Sequence, residues 1–326
     1  MSENVSVAIL IPCYNEGITI GKVVRDFKEK LPMATIFVYD NNSNDDTFEQ
    51  AAKYGAIVRR EYRQGKGNVV RRMFRDIDAD FYVLVDGDDT YDANVALQML
   101  QLAMDEPCDL VNCIRRENGQ DAYRIGHRFG NQVLTGIVRY IFGNIIHDML
   151  SGYKVLSRRF VKSFPALSGG FDIETELTVH ALELSMPIAH VEGNYRSRPK
   201  GSESKLRTYR DGLRILLMII ALLKHERPLK FFSSLGVLLI VVSLALGVPV
   251  VIQFIQTGLV IRLPTAILAM GIMLLAFLSI VTGLILDTVT RGRRESKMLT
   301  YLQYSAHQTF MPHRNNAGDS AGKSAS

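Results

Sequence analysis

Four carboxylates, Asp86, Asp88, Asp89 and Asp92, fall within the seven residues that follow the apolar run 81–85. Like charges this close repel one another and need a neutralising partner. A hard divalent cation shared with substrate phosphates meets that need. Mg2+, for instance, takes one or two carboxylates and fills its remaining positions with phosphate oxygens and water. Asp86 and Asp88, separated only by Gly87, are therefore the candidate ligands for Mg2+ or Mn2+. A solvated acidic turn is the plainer alternative.

Three further loops carry polar residues of compatible chemistry. In IPCYNE, residues 11–16, Pro12 fixes φ and Asn15 favours a turn, which places Tyr14 and Glu16 to hold a planar base and a ribose. Asp40 opens DNNSNDDT; its carboxylate can accept from a base N–H or a ribose hydroxyl, while Ser43 or Asn44 can cap the next helix. Gly65-Lys66-Gly67-Asn68 precedes a helix and suits an anion held by backbone N–H groups and one Lys. It lacks the spacing and the Lys-Ser/Thr pair of a Walker A loop. A plain strand-to-helix turn would look like the first loop, and capping alone could explain several residues of the second but hardly Asp40 itself.

A sheet must position them. Short β-branched runs at 5–11, 35–40, 81–86 and 109–113 read as strands, and amphipathic stretches at 17–31, 45–54, 67–77 and 93–104 read as helices. This alternation specifies an α/β fold with a mostly parallel sheet, whose ligands bind beyond the carboxyl ends of the strands. Residues 123–198 change to longer helical stretches broken by Gly152, Gly169 and Gly170, with strands near 153–156 and 188–195. They read as the acceptor-facing half of the same domain, 1–204.

The chain of 326 residues is 47% apolar and 22% charged, an average that conceals a mixture. Residues 231–286 contain one charged side chain, Arg262, and the uncharged runs 235–255 and 263–286 each exceed the roughly 30 Å hydrocarbon core at about 1.5 Å per residue. They predict two transmembrane helices in a hairpin, 231–290. Ahead of them, within 205–230, the apolar run 215–223 is too short to span and has basic neighbours. It suits an amphipathic interfacial helix or a buried core helix.

Lys224, Arg227 and Lys230 precede the hairpin, and Arg291, Arg293, Arg294 and Lys297 follow it. By the positive-inside rule both ends of the hairpin are cytoplasmic, so the expected location is multi-pass in an inner, cytoplasmic membrane with the N-terminal domain and both termini in the cytoplasm. The net charge of +5 then lies where anionic lipid attracts it and gives no footprint for nucleic acid. Residues 291–326 read as a cytosolic tail, disordered from 315. Cys13, Cys108 and Cys113 read as buried thiols of a reducing compartment, and the first residues as a strand instead of a signal peptide.

Taken together, IPCYNE, Asp40, GKGN and the D-x-D at Asp86 to Asp88 resemble a family 2 glycosyltransferase of GT-A fold. In the second half, Asp148-Met-Leu-Ser-Gly152-Tyr-Lys154, Phe171-Asp-Ile-Glu174-Thr-Glu176 and Arg196-Ser-Arg198-Pro-Lys-Gly201-Ser-Glu-Ser204-Lys205 resemble the polyprenyl-phosphate monosaccharide transferases. That group includes dolichol-phosphate mannose synthases and GtrB-type glucosyltransferases. The processive synthases of the family carry Q-x-x-R-W, and this chain has no Trp.

The resemblance implies an inverting, metal-dependent transfer of one sugar from a nucleotide sugar to a polyprenyl phosphate such as undecaprenyl phosphate. UDP-glucose is the first choice, with UDP-N-acetylhexosamine and GDP-mannose behind it. Pro12, Tyr14, Glu16, Asp40, Lys66 and Asp86 would hold the donor, and Asp86 and Asp88 the cation. Arg198, Ser204 and Lys205 would grip the lipid phosphate, and relatives suggest a homo-oligomer, a tetramer. Asp148 matches a position proposed as catalytic base, although it could equally orient Lys154 or Arg198; Asp89 is a second catalytic candidate, facing the sugar. Many relatives have D-A-D-x-Q, with the Gln a further metal ligand, where this chain has Thr90. A transferase acting on a lipid-linked sugar and a membrane scaffold with a degenerate transferase domain are the alternatives.

Overall fold

The computed structural model describes residues 5–106, 108–117, 148–165, 173–196 and 226–305, with Gly136 and Lys224. The predicted interfacial run 215–223 and the expected phosphate ligands Arg198, Ser204 and Lys205 lie outside the described residues.

Seven strands form one sheet in the order β3-β2-β1-β4-β6-β5-β7. The strand β1 (Val7–Cys13) is buried at every position. Val7, Ile9, Ile11 and Cys13 enter the core on one face, while Ala8 and Leu10 enter the core on the other. Such two-sided burial explains why its sequence reads as a continuous apolar run. β2 (Thr35–Asp40) and β4 (Phe81–Leu84) pair with β1 in parallel, and β3 (Ile57–Arg60) pairs in parallel with β2. β6 (Lys154–Ser157) is reversed, antiparallel to both β4 and β5 (Leu110–Glu117), and β7 (Ile188–Tyr195) is parallel to β5.

The chain leaves β1 toward β2 and β3 on one side and returns to β4 on the other. The crevice at the carboxyl ends of β1 and β4 is thus a topological switch point, where sheets of this kind bind ligands. Among the described residues the sheet is flanked by α1 (Gly17–Lys30), α2 (Thr47–Lys53), α3 (Lys66–Asp76), α4 (Ala96–Asp105) and α5 (Arg158–Ser163). α6 (Ile173–Glu183) joins α3 and α5 on the face lined by Leu10, Tyr82 and Leu156.

Two differences from the sequence reading have simple causes. The exposed edge strand β3 went unread because Ile-Val-Arg-Arg is short and half charged. The reading at 93–104 gives one helix, whereas the chain makes a 3-10 turn at Ala93–Val95, held by Asp92 accepting from the Asn94 N–H, before α4 begins.

Beyond the sheet, α7 (Pro228–Thr257) and α8 (Leu263–Leu302) form an antiparallel hairpin, each long and apolar enough to cross a membrane. Gly258 adopts the left-handed conformation that ends α7, its N–H bonding to the Phe254 carbonyl at 2.8 Å. Gly236, Ser243 and Val250 of α7 are buried, as are Ala269, Ala276 and Gly283 of α8. Both sets recur every seven residues, the interval of a left-handed supercoil, and small side chains let the backbones approach. The Ser243 hydroxyl donates to the Ala269 carbonyl at 2.7 Å and that of Ser279 to the Phe232 carbonyl at 2.9 Å. The remaining circumference exposes apolar side chains, with Ile255 75% and Met270 70% exposed, a surface suited to lipid. α8 does not stop at 286: it continues through Leu302, so residues 291–302 are helix where the sequence reading gives tail.

Candidate active site

The first two loops are laced together at the sheet's carboxyl edge. The Asn15 N–H donates to Ser43 Oγ and the Asn44 N–H to Asn15 Oδ1, both at 2.8 Å. The Glu16 N–H donates to Thr47 Oγ1 at 2.8 Å and the Gly17 N–H to Asp45 at 2.9 Å. Ser43 and Asn44 therefore brace the IPCYNE loop instead of capping α2, whose N-cap Asp46 makes no capping hydrogen bond. Asn15 takes a φ of 53°, a left-handed turn that Asn tolerates.

Asp40 is 1% exposed, accepts from the Ser43 N–H at 3.1 Å and lies 3.7 Å from Arg60. Pro12 is buried, and Tyr14 and Glu16 are partly exposed. Glu16, Asp40 and Asp86 converge on Cys13: burial raises the Cys13 thiol well above its ordinary pKa, and these three carboxylates push it the same way. Cys13, Cys108 and Cys113 are all buried free thiols.

Sequence reasoning missed Asn41, which sets the third loop. Its side-chain amide donates to the carbonyls of Glu61 and Arg63 at 2.9 and 2.8 Å and accepts from the Gly65 N–H at 2.7 Å. The GKGN turn is thereby fixed beside β2, with Gly65 at a φ of 127° ahead of α3. Lys66 turns inward and bonds both Asp86 and Glu174. Burial alone would lower its pKa, but the two carboxylates outweigh it and hold the ammonium well above its ordinary value. Of the two glutamates in the 171–176 motif, Glu174 thus faces the site and Glu176 is partly exposed.

The acidic turn sits at the switch point. A Cβ on Gly87 would meet the Glu16 carboxylate and come within 2.6 Å of Cys13 Sγ, so in this chain either side chain would have to shift to admit one. The Gly87 carbonyl accepts from Thr19 Oγ1 at 2.7 Å. On the other side, a Cβ on Gly152 would fall 2.9 Å from Asp86 Cγ, and the Gly152 N–H donates to the Tyr91 hydroxyl at 2.7 Å. Two glycines thus let neighbouring groups pack closely around Asp86, where the turn begins.

Asp88 is 2% exposed, and its Oδ1 accepts from the Thr90 N–H and hydroxyl. Asp89 takes a φ of 57° and its carboxylate bonds Lys22 of α1 at 2.6 Å. Among the described residues no three His, Cys, Asp or Glu side chains gather as a complete metal cage. The hard oxygens of Asp86 and Asp88 nevertheless suit Mg2+ or Mn2+, provided substrate phosphates supply further ligands.

Asp148 carries the largest surprise. Its two oxygens receive Nε and Nη2 of Arg115 at 2.7 and 2.8 Å, a bidentate pair in which both side chains are nearly buried. Burial would raise the Asp148 pKa, but Arg115 overrides it and holds the carboxyl below its ordinary value. Of the two partners the sequence suggested, Lys154 instead donates to Asn112 at 2.6 Å and Thr178 at 3.3 Å, and Arg198 lies outside the described residues. The Arg115 guanidinium also stacks over the Tyr195 ring at 5.4 Å. Arg115 was legible only as a charge near the end of a strand.

Residues 8–164 match the profile of Glycosyl transferase family 2. The glycosyltransferase AglJ of Haloferax volcanii is 32% identical over 295 residues, which cover 89% of this chain and 95% of that one. The chain belongs to glycosyl transferase family 2. Family 2 membership makes it a glycosyltransferase, as the motifs imply. A second relative, a dolichyl-phosphate hexose transferase of the same organism, is 27% identical over 221 residues, 68% of this chain and 95% of its own. Among solved structures, Mycobacterium tuberculosis glucosyl-3-phosphoglycerate synthase in complex with Mn2+, UDP and phosphoglyceric acid aligns with a TM-score of 0.56 at 20% identity. That alignment covers 68% of this chain and 78% of the synthase, and it shows the shared GT-A-like mixed α/β sheet.

Proposed function

We propose that this family 2 enzyme transfers one hexose from a nucleotide sugar, UDP-glucose first, to a polyprenyl phosphate at the cytoplasmic face of a membrane. The observation that carries this reading is the placement of Asp86 and Asp88 at the β1/β4 switch point of a chain with two membrane-length helices. The likeness to a dolichyl-phosphate hexose transferase supports the acceptor class. The Mn2+ and UDP of the structurally similar synthase accord with the metal and nucleotide.

Tyr14, Glu16 and Asp40 would line the nucleoside pocket, with Pro12 shaping the loop. Asp86 and Asp88 would hold the divalent cation, which when bound offsets the charge developing on the departing diphosphate. Lys66 adds positive charge beside Asp86, and Glu174 keeps that ammonium in place. Asp89, engaged by Lys22, shapes the turn on the sugar side.

A phosphate acceptor is already ionised near pH 7, so no strong base is needed. That matches Asp148, whose oxygens are taken up by Arg115 and whose lowered pKa makes it a poor proton acceptor. Asp148 is therefore assigned the orientation of Arg115, and catalysis rests on positioning and charge stabilisation. Arg198, Ser204 and Lys205 remain the proposed lipid-phosphate ligands, and the basic flanks of the hairpin set both ends of it in the cytoplasm.

The deciding experiment incubates the full chain in detergent with undecaprenyl phosphate and a panel of nucleotide sugars, reading the lipid product by mass. A hexosyl-phosphate lipid formed with Mg2+ or Mn2+, and lost in Asp88→Ala, supports the reading. Turnover of lipid-linked sugars alone replaces the acceptor, and unchanged activity in Asp88→Ala removes the metal role.

A further inference from the structure

Past its apolar part α8 returns to the transferase domain and is clasped there twice. Lys297 bonds Glu183, at the end of α6, at 2.6 Å. One turn on, the Tyr301 hydroxyl donates to Asp109 Oδ2 at 2.8 Å. Asp109 is 1% exposed and is a hub: Arg159 reaches it through Nε and Nη2 at 2.5 and 2.7 Å, and Ser157 at 2.6 Å. The Arg159 guanidinium lies 4.7 Å over the Tyr301 ring, and Met298 and Tyr301 pack against the core shared by α3, α5 and α6.

The same helix α6 whose last residue, Glu183, bonds Lys297 carries in its first turn Glu174, which bonds Lys66 and through it Asp86. A continuous line of charge pairs and one helix therefore joins the membrane hairpin to the candidate metal aspartate. From Asp287, where charge reappears, to Lys297 the helix rises roughly 15 Å.

We propose that Lys297 and Tyr301 are positioning residues: they lock α8 onto the transferase domain, holding the site at a fixed height and orientation above the bilayer so that a membrane-embedded acceptor meets the bound donor. This inference rests on the acceptor class proposed above. It predicts a penalty confined to acceptors that cannot leave the bilayer.

The test compares wild type, Tyr301→Phe, which removes only the hydroxyl, and Lys297→Ala/Tyr301→Ala. Each is assayed with a long-chain polyprenyl phosphate in vesicles and with a short, water-soluble prenyl phosphate in detergent. In parallel, nitroxides on cysteines replacing Val289 and Lys53 report the distance between α8 and the domain by pulsed electron paramagnetic resonance.

The lock predicts a distance distribution that broadens in the double variant. It also predicts about a tenfold or greater loss of kcat/KM on vesicles, an intermediate loss in Tyr301→Phe, and unchanged turnover of the short acceptor. Equal losses on both acceptors, or a broadened distribution with unchanged vesicle turnover, overturn it. So does an unaltered distance distribution. If the double variant does not fold, Tyr301→Phe alone decides by the same split. If wild type uses neither acceptor, the acceptor assignment fails and the distance measurement decides the lock by itself.

Discussion

Thr90 donates its hydroxyl to Oδ1 of Asp88 at 2.6 Å, and its backbone N–H reaches the same oxygen at 3.2 Å. Both residues are buried. Where the motif resemblance leads one to expect a Gln, this chain has a residue that aims the carboxylate. Asp88 is thus oriented by the protein itself. Thr90→Val keeps the shape and removes the donor, so it should weaken Mn2+ activation and lower kcat/KM about tenfold, corresponding to a lost hydrogen bond to a charged group. Metal titrations of the two proteins check this; coincident curves would reject the role.

Lys66 is the cation between Asp86 and Glu174. Its raised pKa means that it favours the folded state throughout the range below the ordinary Lys value near 10.4, and that this contribution fades only as pH climbs above that. Lys66→Met should destabilise the fold by about 3 kcal/mol at neutral pH and weaken donor binding. Adding Glu174→Gln should recover part of the stability but none of the donor affinity. Thermal unfolding and calorimetric donor titration separate the two effects.

The Asp148–Arg115 pair makes a different kind of prediction. If the carboxylate acts by orienting the guanidinium, Asp148→Asn and Arg115→Lys should each slow turnover by a comparable factor, of order a hundredfold, and the double variant should be little worse than either. A catalytic base would instead show losses that multiply, together with an altered acid limb of the pH-rate profile in Asp148→Asn alone.

His180 lies in the core of α6 between Phe160 and Phe164, with Ser163 Oγ 3.0 Å from its Nε2. Burial, with Lys297 nearby, pushes its pKa down to about 3. The unfolded chain protonates near 6.5, so His180 favours the fold fully above that value. The contribution is lost at about 1.4 kcal/mol per pH unit as pH falls from 6.5 toward the folded value. His180→Gln should flatten the fall in melting temperature between pH 6.5 and 4; an unchanged slope would show that other groups govern acid unfolding.

Most of the sheet was legible because its central strands are buried on both faces and bounded by turn residues; β2 and β7 coincide with the runs read from the sequence. β3 escaped because an exposed edge strand carries little hydrophobic signal. In the site, residue types at strand ends pointed to Asp40, Asp86 and Asp88, while Asn41 and Arg115 act through partners far away in sequence. Lys66 was read as facing an anion from the substrate, yet it bonds two carboxylates of its own chain, one of them 108 residues away. No spacing rule reveals such a pairing. The length of α8 was missed for another reason: charge marks where an apolar span ends, but it does not end a helix.

An unbroken helix carries angle as well as distance. Because α8 runs from the hairpin to Tyr301 without a break, inserting a single residue after Asp287 would swing the docking face through about 100° while lifting it only about 1.5 Å. Four added residues would bring it nearly back into phase, about 6 Å higher. The number of residues between hairpin and dock is therefore constrained as a gear tooth count is, by rotation before reach.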